Sequence, residues 1–507
     1  MTRAQLILVL SLSAFCLGGQ LLTRTDPIVS VLFAASIFFG LLSVHAGGGL
    51  GSAFGFLNAM LIGKLLLFGI VLKILLFEPA DSTLSAPLTT SWVMALGFCG
   101  LLIGTGVQSR LPCPRFLSMN RPFDDRMLLA FAIILFSFSY LGYFAGMIPA
   151  AQGEGLQTGG WLGIARGLGT LKSLAIVPPM FYMWRTQSQR WMTHPIVLAL
   201  LLWSALTGIF STNKQDAIEP FVFYVFVGFL RYGWRSIRLW TFVAAGVVYF
   251  AVIVFPYSQY VRNAGGRQGS FTQRFDATEL AFWQTLSDGS FRSTVRERVS
   301  KDGYFERGFL SPFGRMAMVG EADRLISATE RQQAFTEWET IVWGFKLVTP
   351  SFLLPDKPIW EAGNYLGHIA GQVASNDNAT QVSYGVMANF FNAFSFLGVA
   401  VGTPVFFAAF YYWIRIFLSE PKCDRKPSAS TLWFIWLIAT YEHSIVESSF
   451  AGLVATLAFP VLLALLCVSA KVLSLFFPQQ SLVSHCEETT IRSNDFDFRR
   501  IELITPR

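Results

Sequence analysis

The chain has 507 residues, 53% hydrophobic and 14% charged, with a mean hydropathy of +0.50 and a net charge of +7. Soluble domains average about one-quarter charged residues, so this composition excludes an ordinary soluble enzyme and describes a polytopic membrane protein. The 49 Phe, 14 Trp and 14 Tyr include the aromatic types that gather at membrane interfaces.

Taken in chain order, residues 1–22 combine a basic start with an apolar core, like a signal peptide. Phe15 before Cys16 is too bulky for lipoprotein processing, so the segment is expected to be an uncleaved first helix. Apolar runs then predict about twelve membrane-spanning helices, each needing ~20 residues. They cover residues 6–22, 27–46, 54–77, 91–107, 127–148, 161–184, 194–210, 217–230, 239–255, 383–418, 432–450 and 453–477. The tenth is too long for one straight span and is expected to open as a short re-entrant or interfacial turn around residues 387–394. The fold class is all-α, with spans in 1–255 and 383–477, a long polar segment in 256–382 and a tail in 478–507. No 20–50-residue repeat is visible.

The polar segment, from Pro256 to about Thr380, holds 13 of the 38 Lys and Arg and 14 of the 31 Asp and Glu. Near neutrality speaks against a nucleic-acid partner, and the cysteines Cys16, Cys99, Cys113, Cys423, Cys467 and Cys486 all lie outside it. Basic residues favour cytoplasmic loops. One alternate set of loops carries Arg110, Arg115, Arg121 and Arg126, then Arg185 and Arg190, then Arg231, Arg235 and Arg238, then Lys422, Arg425 and Lys426. The loops at 78–90 and 150–160 contain no Lys or Arg. Both termini are therefore expected in the cytoplasm and the polar segment outside. Within it, residues 313–349 read as one helix ended by Pro350, and residues 364–380 as irregular structure.

Three groups of residues have the chemistry for a site. Arg315, Arg324 and Arg166 are cations set in apolar sequence, and Lys172 and Lys214 lie near outer helix ends. A guanidinium grips phosphate oxygens through a fixed fork, which suits a lipid-linked phosphate or diphosphate. His443 and Glu447, beside Glu442, share one face of the eleventh span, where ionisable groups usually face a wet cavity or lock helices together. Asp356 and Lys357 sit between Pro355 and Pro358, followed by Asn364, His368 and Asp377. These make a shaped polar loop in which His368 or a nearby carboxylate could serve as a general base. Asp495 and Asp497 sit in a short tail, and the Gly47–Gly49 turn lacks the strand and lysine of a phosphate loop.

The run Leu354-Pro355-Asp356-Lys357-Pro358, then Asn364 and Thr380, continues as Tyr384-Gly385-Val386-Met387-Ala388-Asn389-Phe390-Phe391-Asn392 and Phe396 to Gly402. It resembles the late region of the oligosaccharide repeat-unit polymerases, the O-antigen polymerase group. The motif covers about residues 315–402; the likeness in topology covers the chain. Where family members carry Arg near the outer end of a middle helix, this chain has Lys214. The resemblance implies a bacterial inner-membrane glycosyltransferase with a GT-C-like fold and a large periplasmic loop. It implies an undecaprenyl-diphosphate-linked oligosaccharide as donor and a second such unit as acceptor, without metal, nucleotide sugar or other cofactor. Membrane lipid, a flippase and a chain-length regulator are the implied partners. Arg166, Lys214, Arg315, Arg324, Asp356, Lys357 and Asn364 are the expected substrate-binding residues, and His368, Asp377, His443 and Glu447 the catalytic ones. An O-antigen ligase-like transferase and a transporter of lipid-linked sugar remain the alternatives.

Overall fold

The structure is a computed structural model. It describes residues 3–112, 122–147, 168–186 apart from 170, 191–210, 214–232, 236–249, 254, 318–349, 354, 362–375, 382–418, 427–441 and 458–477. Among these residues every regular element is helical. Helices α1 (Arg3–Leu22), α2 (Pro27–Ala46), α3 (Ala53–Leu75), α4 (Pro87–Arg110) and α5 (Asp125–Met147) come first. They are followed by α6 (Val177–Thr186), α7 (Pro195–Phe210), α8 (Lys214–Tyr232) and α9 (Ile237–Tyr249). The polar segment contributes α10 (Val319–Gln332), α11 (Glu339–Val348) and α12 (Ala362–Ile369). The chain continues through α13 (Val386–Leu397), α14 (Thr403–Leu418), α15 (Ala429–Tyr441) and α16 (Ala458–Ser474).

Among the described residues, six helical stretches are long and apolar enough to cross a membrane: five lie within α1 to α5, and the sixth is the α13–α14 run Val386–Leu418. Shorter apolar helices lie at Pro195–Gly208, Leu239–Tyr249 and Pro460–Ser474.

Three sequence expectations need correction. The stretch expected as one helix over 313–349 is broken between α10 and α11, where Gln333 and Glu337 take left-handed backbone angles. Residues 362–369, in the stretch read as irregular, form α12. The described part of the span expected at 161–184 contains a 3-10 turn, Leu174–Ile176, before α6. There Pro178 and Pro179 have no N–H to return to the preceding turn. The tenth apolar stretch is broken where a turn was expected, with Phe394 and Ser395 both non-helical.

Local chemistry explains several element ends. The Asp26 carboxylate accepts from the Ile28 and Val29 amides, capping α2 ahead of Pro27. Gly48 and Gly49, both at positive φ, turn the chain from α2 into α3. Inside α3, residues Gly63–Leu67 widen to a π-helix, and the Lys64 carbonyl there accepts from the Met318 amide at 3.2 Å.

Packing draws on small residues where helices cross. A Cβ on Gly100 would lie 2.8 Å from Pro404 Cδ, and one on Gly104 would lie 2.7 Å from the Pro404 carbonyl oxygen. Glycine there lets the backbones of α4 and α14 touch, the close approach typical of helices packed in lipid. The buried Asn58 amide donates to the Ser43 carbonyl at 2.8 Å and Thr105 Oγ1 at 3.1 Å, and its oxygen accepts from Tyr411 at 2.6 Å. One polar side chain thus ties α2, α3, α4 and α14 with every bond met inside the bundle.

The bundle has two chemically different ends. At one, Arg185 donates to the Phe123 carbonyl and to Asp125, the Phe123 amide donates to the Pro427 carbonyl, and Arg415 donates to Gln108 and Leu111. At the other, Ala80 and Asp26 amides donate to Thr25 and Asp81, and Lys73 Nζ holds Pro79, Ser82 and Thr83. Helix α10 lies across this second end, where α4 begins.

Candidate functional site

Helix α10 brings polar chemistry into the bundle. Its apolar face, with Ala322, Leu325 and Ile326 fully buried, packs against α4 and α13. Asp323 is 1% exposed and accepts three bonds, from the Ser85 amide at 2.6 Å, the Ala86 amide at 3.0 Å and Thr90 Oγ1 at 2.8 Å. Helix α4 has no side-chain cap from its own N-cap residue, Ala86. Asp323 supplies that cap from more than two hundred positions away, and its charge suits the positive end of the helix dipole.

One turn of α10 displays the predicted site residue Arg324. Its Nη1 lies 3.7 Å from Glu321 Oε2, with about a third of the side chain open. Glu321 Oε2 also accepts from Gln372 Nε2 at 2.7 Å, and Gln372 Oε1 accepts from Tyr384. This polar chain runs from the rim into the protein: Arg324 is about a third exposed, Tyr384 buried. Burial raises the Tyr384 phenol far above its usual range; nearby Glu321 raises it further and Arg324 opposes them. Tyr384 therefore stays a proton donor at any physiological pH. The pair, at 3.7 Å with 35% of the Arg324 side chain and 16% of the Glu321 side chain exposed, contributes under about 1 kcal/mol and leaves part of the guanidinium facing outward.

Helix α12, packed on α10, carries two more predicted residues, the buried Asn364 and the half-buried His368, one turn apart. The turn after α12 delivers Gln372, so Arg324, Asn364 and His368 belong to two adjoining helices. On the far side of α12, Tyr365 donates to Glu339 of α11 at 2.9 Å.

A second polar cluster holds the break in the tenth span. Asn392 donates to Thr329 at 2.9 Å and to the Ala334 carbonyl at 3.1 Å, and accepts from Thr336 at 2.8 Å. The carbonyls of Asn392 and Ala393, which lose helical partners at the break, accept from the Thr336 and Glu337 amides. The turn between α10 and α11 and the break in α13 thus satisfy each other.

Lys214 opens α8, which packs on α7 and α15. Lys172 is buried, its Nζ 3.9 Å from the Tyr143 ring centre, while the Tyr143 hydroxyl bonds the Thr207 carbonyl. Arg166, Arg315, Asp356, Lys357, Asp377, His443 and Glu447 lie outside the described residues. Between α3 and the start of α10, a cavity of about 10 Å³ bounded by Phe33, Lys73, Thr83 and Gly320 has room for one water, not a substrate.

Sequence reading missed Glu321, Asp323 and Gln372, which carry no motif, and Tyr384 entered it only as part of the resembling run and not as a site residue. Lys64 and Lys73 had a usable signal, as cations within an apolar helix. Comparison of the chain with protein-family models, curated proteins and solved structures finds no match.

Proposed function

We propose that the protein is a membrane glycosyltransferase that polymerises undecaprenyl-diphosphate-linked oligosaccharide repeat units into a surface polysaccharide. In this reading the arginine-rich end faces the cytoplasm, with both termini, and α10 to α12 face the periplasm of a bacterial inner membrane. The observation that carries it is Arg324: a partly exposed guanidinium on a helix set into an apolar bundle, linked through Glu321 and Gln372 to the buried Tyr384 hydroxyl. A lipid diphosphate needs apolar surroundings for its tail and fixed positive charge for its head, and these lie together here. The sequence resemblance at residues 354–402 supports the same class.

In the reaction, the bond between the donor sugar's anomeric carbon and the diphosphate oxygen breaks, and the acceptor hydroxyl oxygen bonds to that carbon. Arg324, with Arg315, Arg166 and Lys214, stabilises charge on the departing diphosphate. The acceptor proton passes to a base drawn from His368, Asp377, His443 and Glu447. Asp356, Lys357 and Asn364 position the glycan.

Purified protein in liposomes, given only lipid-linked repeat units, should lengthen them. Arg324→Lys should slow the reaction and Arg324→Ala slow it further at unchanged protein yield, because an ammonium does not reproduce the fork. Deleting the protein in its host should leave single units on the final acceptor, whereas loss of a ligase would strand polymer on the lipid carrier. Failure of folded protein to extend the units, or normal turnover by Arg324→Ala, would overturn the proposal. Alkaline phosphatase fused after Gln268 should be active and after Arg425 inactive; the reverse would overturn the orientation.

A further inference from the structure

Among the described residues of the polar segment, α11 presents an exposed apolar face. Its inner face, Thr336, Thr340 and Gly344, is buried against the bundle. On the opposite face Trp338 is 64% exposed, Val342 42% and Phe345 59%. Glu339 and Lys346 border that face on one side, and Glu339 is the residue bonded to Tyr365 of α12. The helix therefore has three strips: one on protein, one charged and turned toward α12, and one apolar and open.

The position of the open strip identifies what covers it. Below the break at Phe394–Ser395, the helical run from Phe396 to Leu418 is ~34 Å long at about 1.5 Å per residue, close to the ~30 Å hydrocarbon thickness of a bilayer. Leu418 lies near the arginine-rich end, where Ser430 bonds its carbonyl. The break therefore stands at the opposite hydrocarbon boundary. Trp338 packs edge-on against Phe394 with ring centres 4.9 Å apart, so it shares that level. Directly below, Leu397, Val401 and Val405 form an exposed stripe down the crossing helix. The open face of α11 continues this stripe at the depth where tryptophan prefers to sit.

We infer that α11 is an interfacial helix, its Trp338, Val342 and Phe345 face embedded in the headgroup–acyl boundary of the bilayer leaflet at the end of the bundle that carries α10. The occupant is lipid; burial of this face holds the turn at residues 333–338 on the broken span. The inference depends on the chain crossing a membrane and not on its catalytic activity.

The test uses the full-length protein with its native cysteines replaced, reconstituted in vesicles of phosphatidylethanolamine and phosphatidylglycerol. Nitroxide labels are placed through Trp338→Cys, Val342→Cys, Leu397→Cys and Lys346→Cys. Collision with oxygen, which concentrates in lipid, is compared with collision with a water-soluble nickel chelate. Labels at 338 and 342 should favour oxygen severalfold, as at 397, while the label at 346 favours nickel. Nickel preference at both 338 and 342 would place the face in water and overturn the inference. Shielding from both reagents, as a second copy or another protein on the face would produce, overturns it equally. If Trp338→Cys does not reconstitute, Val342→Cys decides alone.

Discussion

Removing the Asp323 carboxylate strips the cap from α4, and the structure fixes the size of the effect. Three bonds end on that carboxylate, two from backbone amides at the start of α4 and one from Thr90. Hydrogen bonds to a charged group contribute about 1.5–3 kcal/mol each. The lower value applies here, because Ser85 is exposed and water can replace its partner. Asp323→Ala should therefore cost ~4 kcal/mol. Asp323→Asn keeps an oxygen for Ala86 and Thr90 but turns an amide donor toward the Ser85 N–H, and should cost ~2 kcal/mol. Because the damage is local, hydrogen exchange at the Ser85 and Ala86 amides is the direct assay. Protection should fall roughly 30-fold in the Asn variant and by two to three orders of magnitude in the Ala variant, at about 1.4 kcal/mol per tenfold. Adding Thr90→Val to Asp323→Ala should cost almost nothing further, since the shared bond is already lost. Native exchange at both amides in the Ala variant, with an unchanged melting temperature, would refute the capping argument.

Other perturbations follow from the same packing. Asn392→Leu removes bonds to Thr329, Ala334 and Thr336 together and should destabilise by about 2–4 kcal/mol, read as a lowered melting temperature in detergent. Gly104→Ala forces a methyl to within 2.7 Å of the Pro404 carbonyl oxygen and should cost about 1–3 kcal/mol, whereas Gly106→Ala, where nothing lies within 4 Å, should be neutral or stabilising. Burial, with the hydrogen bond to Glu339, pushes the Tyr365 phenol up to about 12 from 10.0. Its raised folded-state value gives stability that is complete below pH 10.0 and lost as pH climbs toward about 12. Tyr365→Phe should flatten the decline of melting temperature across that window; an unchanged slope would show that the phenol does not titrate with folding.

The presence of α2, α4 and α5 was legible in the sequence because an unbroken apolar run of spanning length has few other solutions in lipid, although α4 begins and ends three or four residues beyond the 91–107 expected. The Pro27 start of α2 is written locally, in Asp26 and the proline itself. The separation of α10 from α11 is not: Gln333 and Glu337 adopt left-handed angles without being Gly or Asn. Their cost is met by amides that find the carbonyls of Asn392 and Ala393, partners no window around residue 333 contains. Arg324 stood out as a cation in apolar sequence, whereas Asp323 beside it looked like any surface acid of an amphipathic helix. What distinguishes Asp323 is the start of α4, distant in sequence. Asn364 and His368 stand close together in the sequence, but their placement on a helix adjoining that of Arg324 depends on the α12–α10 contact.

The Lys64–Met318 hydrogen bond sets a condition on how the protein is made. Helix α3 leaves the ribosome long before residue 318 is synthesised, yet a carbonyl in its π-turn accepts from the Met318 amide of that later segment. The start of α4 waits in the same way for Asp323. Through most of synthesis the early helices thus lack, at two points, the hydrogen bonds that the later segment brings. A nascent chain halted before residue 318 is expected to remain loosely packed and accessible to proteases around residues 78–90, and to tighten only when α10 arrives. The late segment therefore completes the helix bundle as well as carrying Arg324.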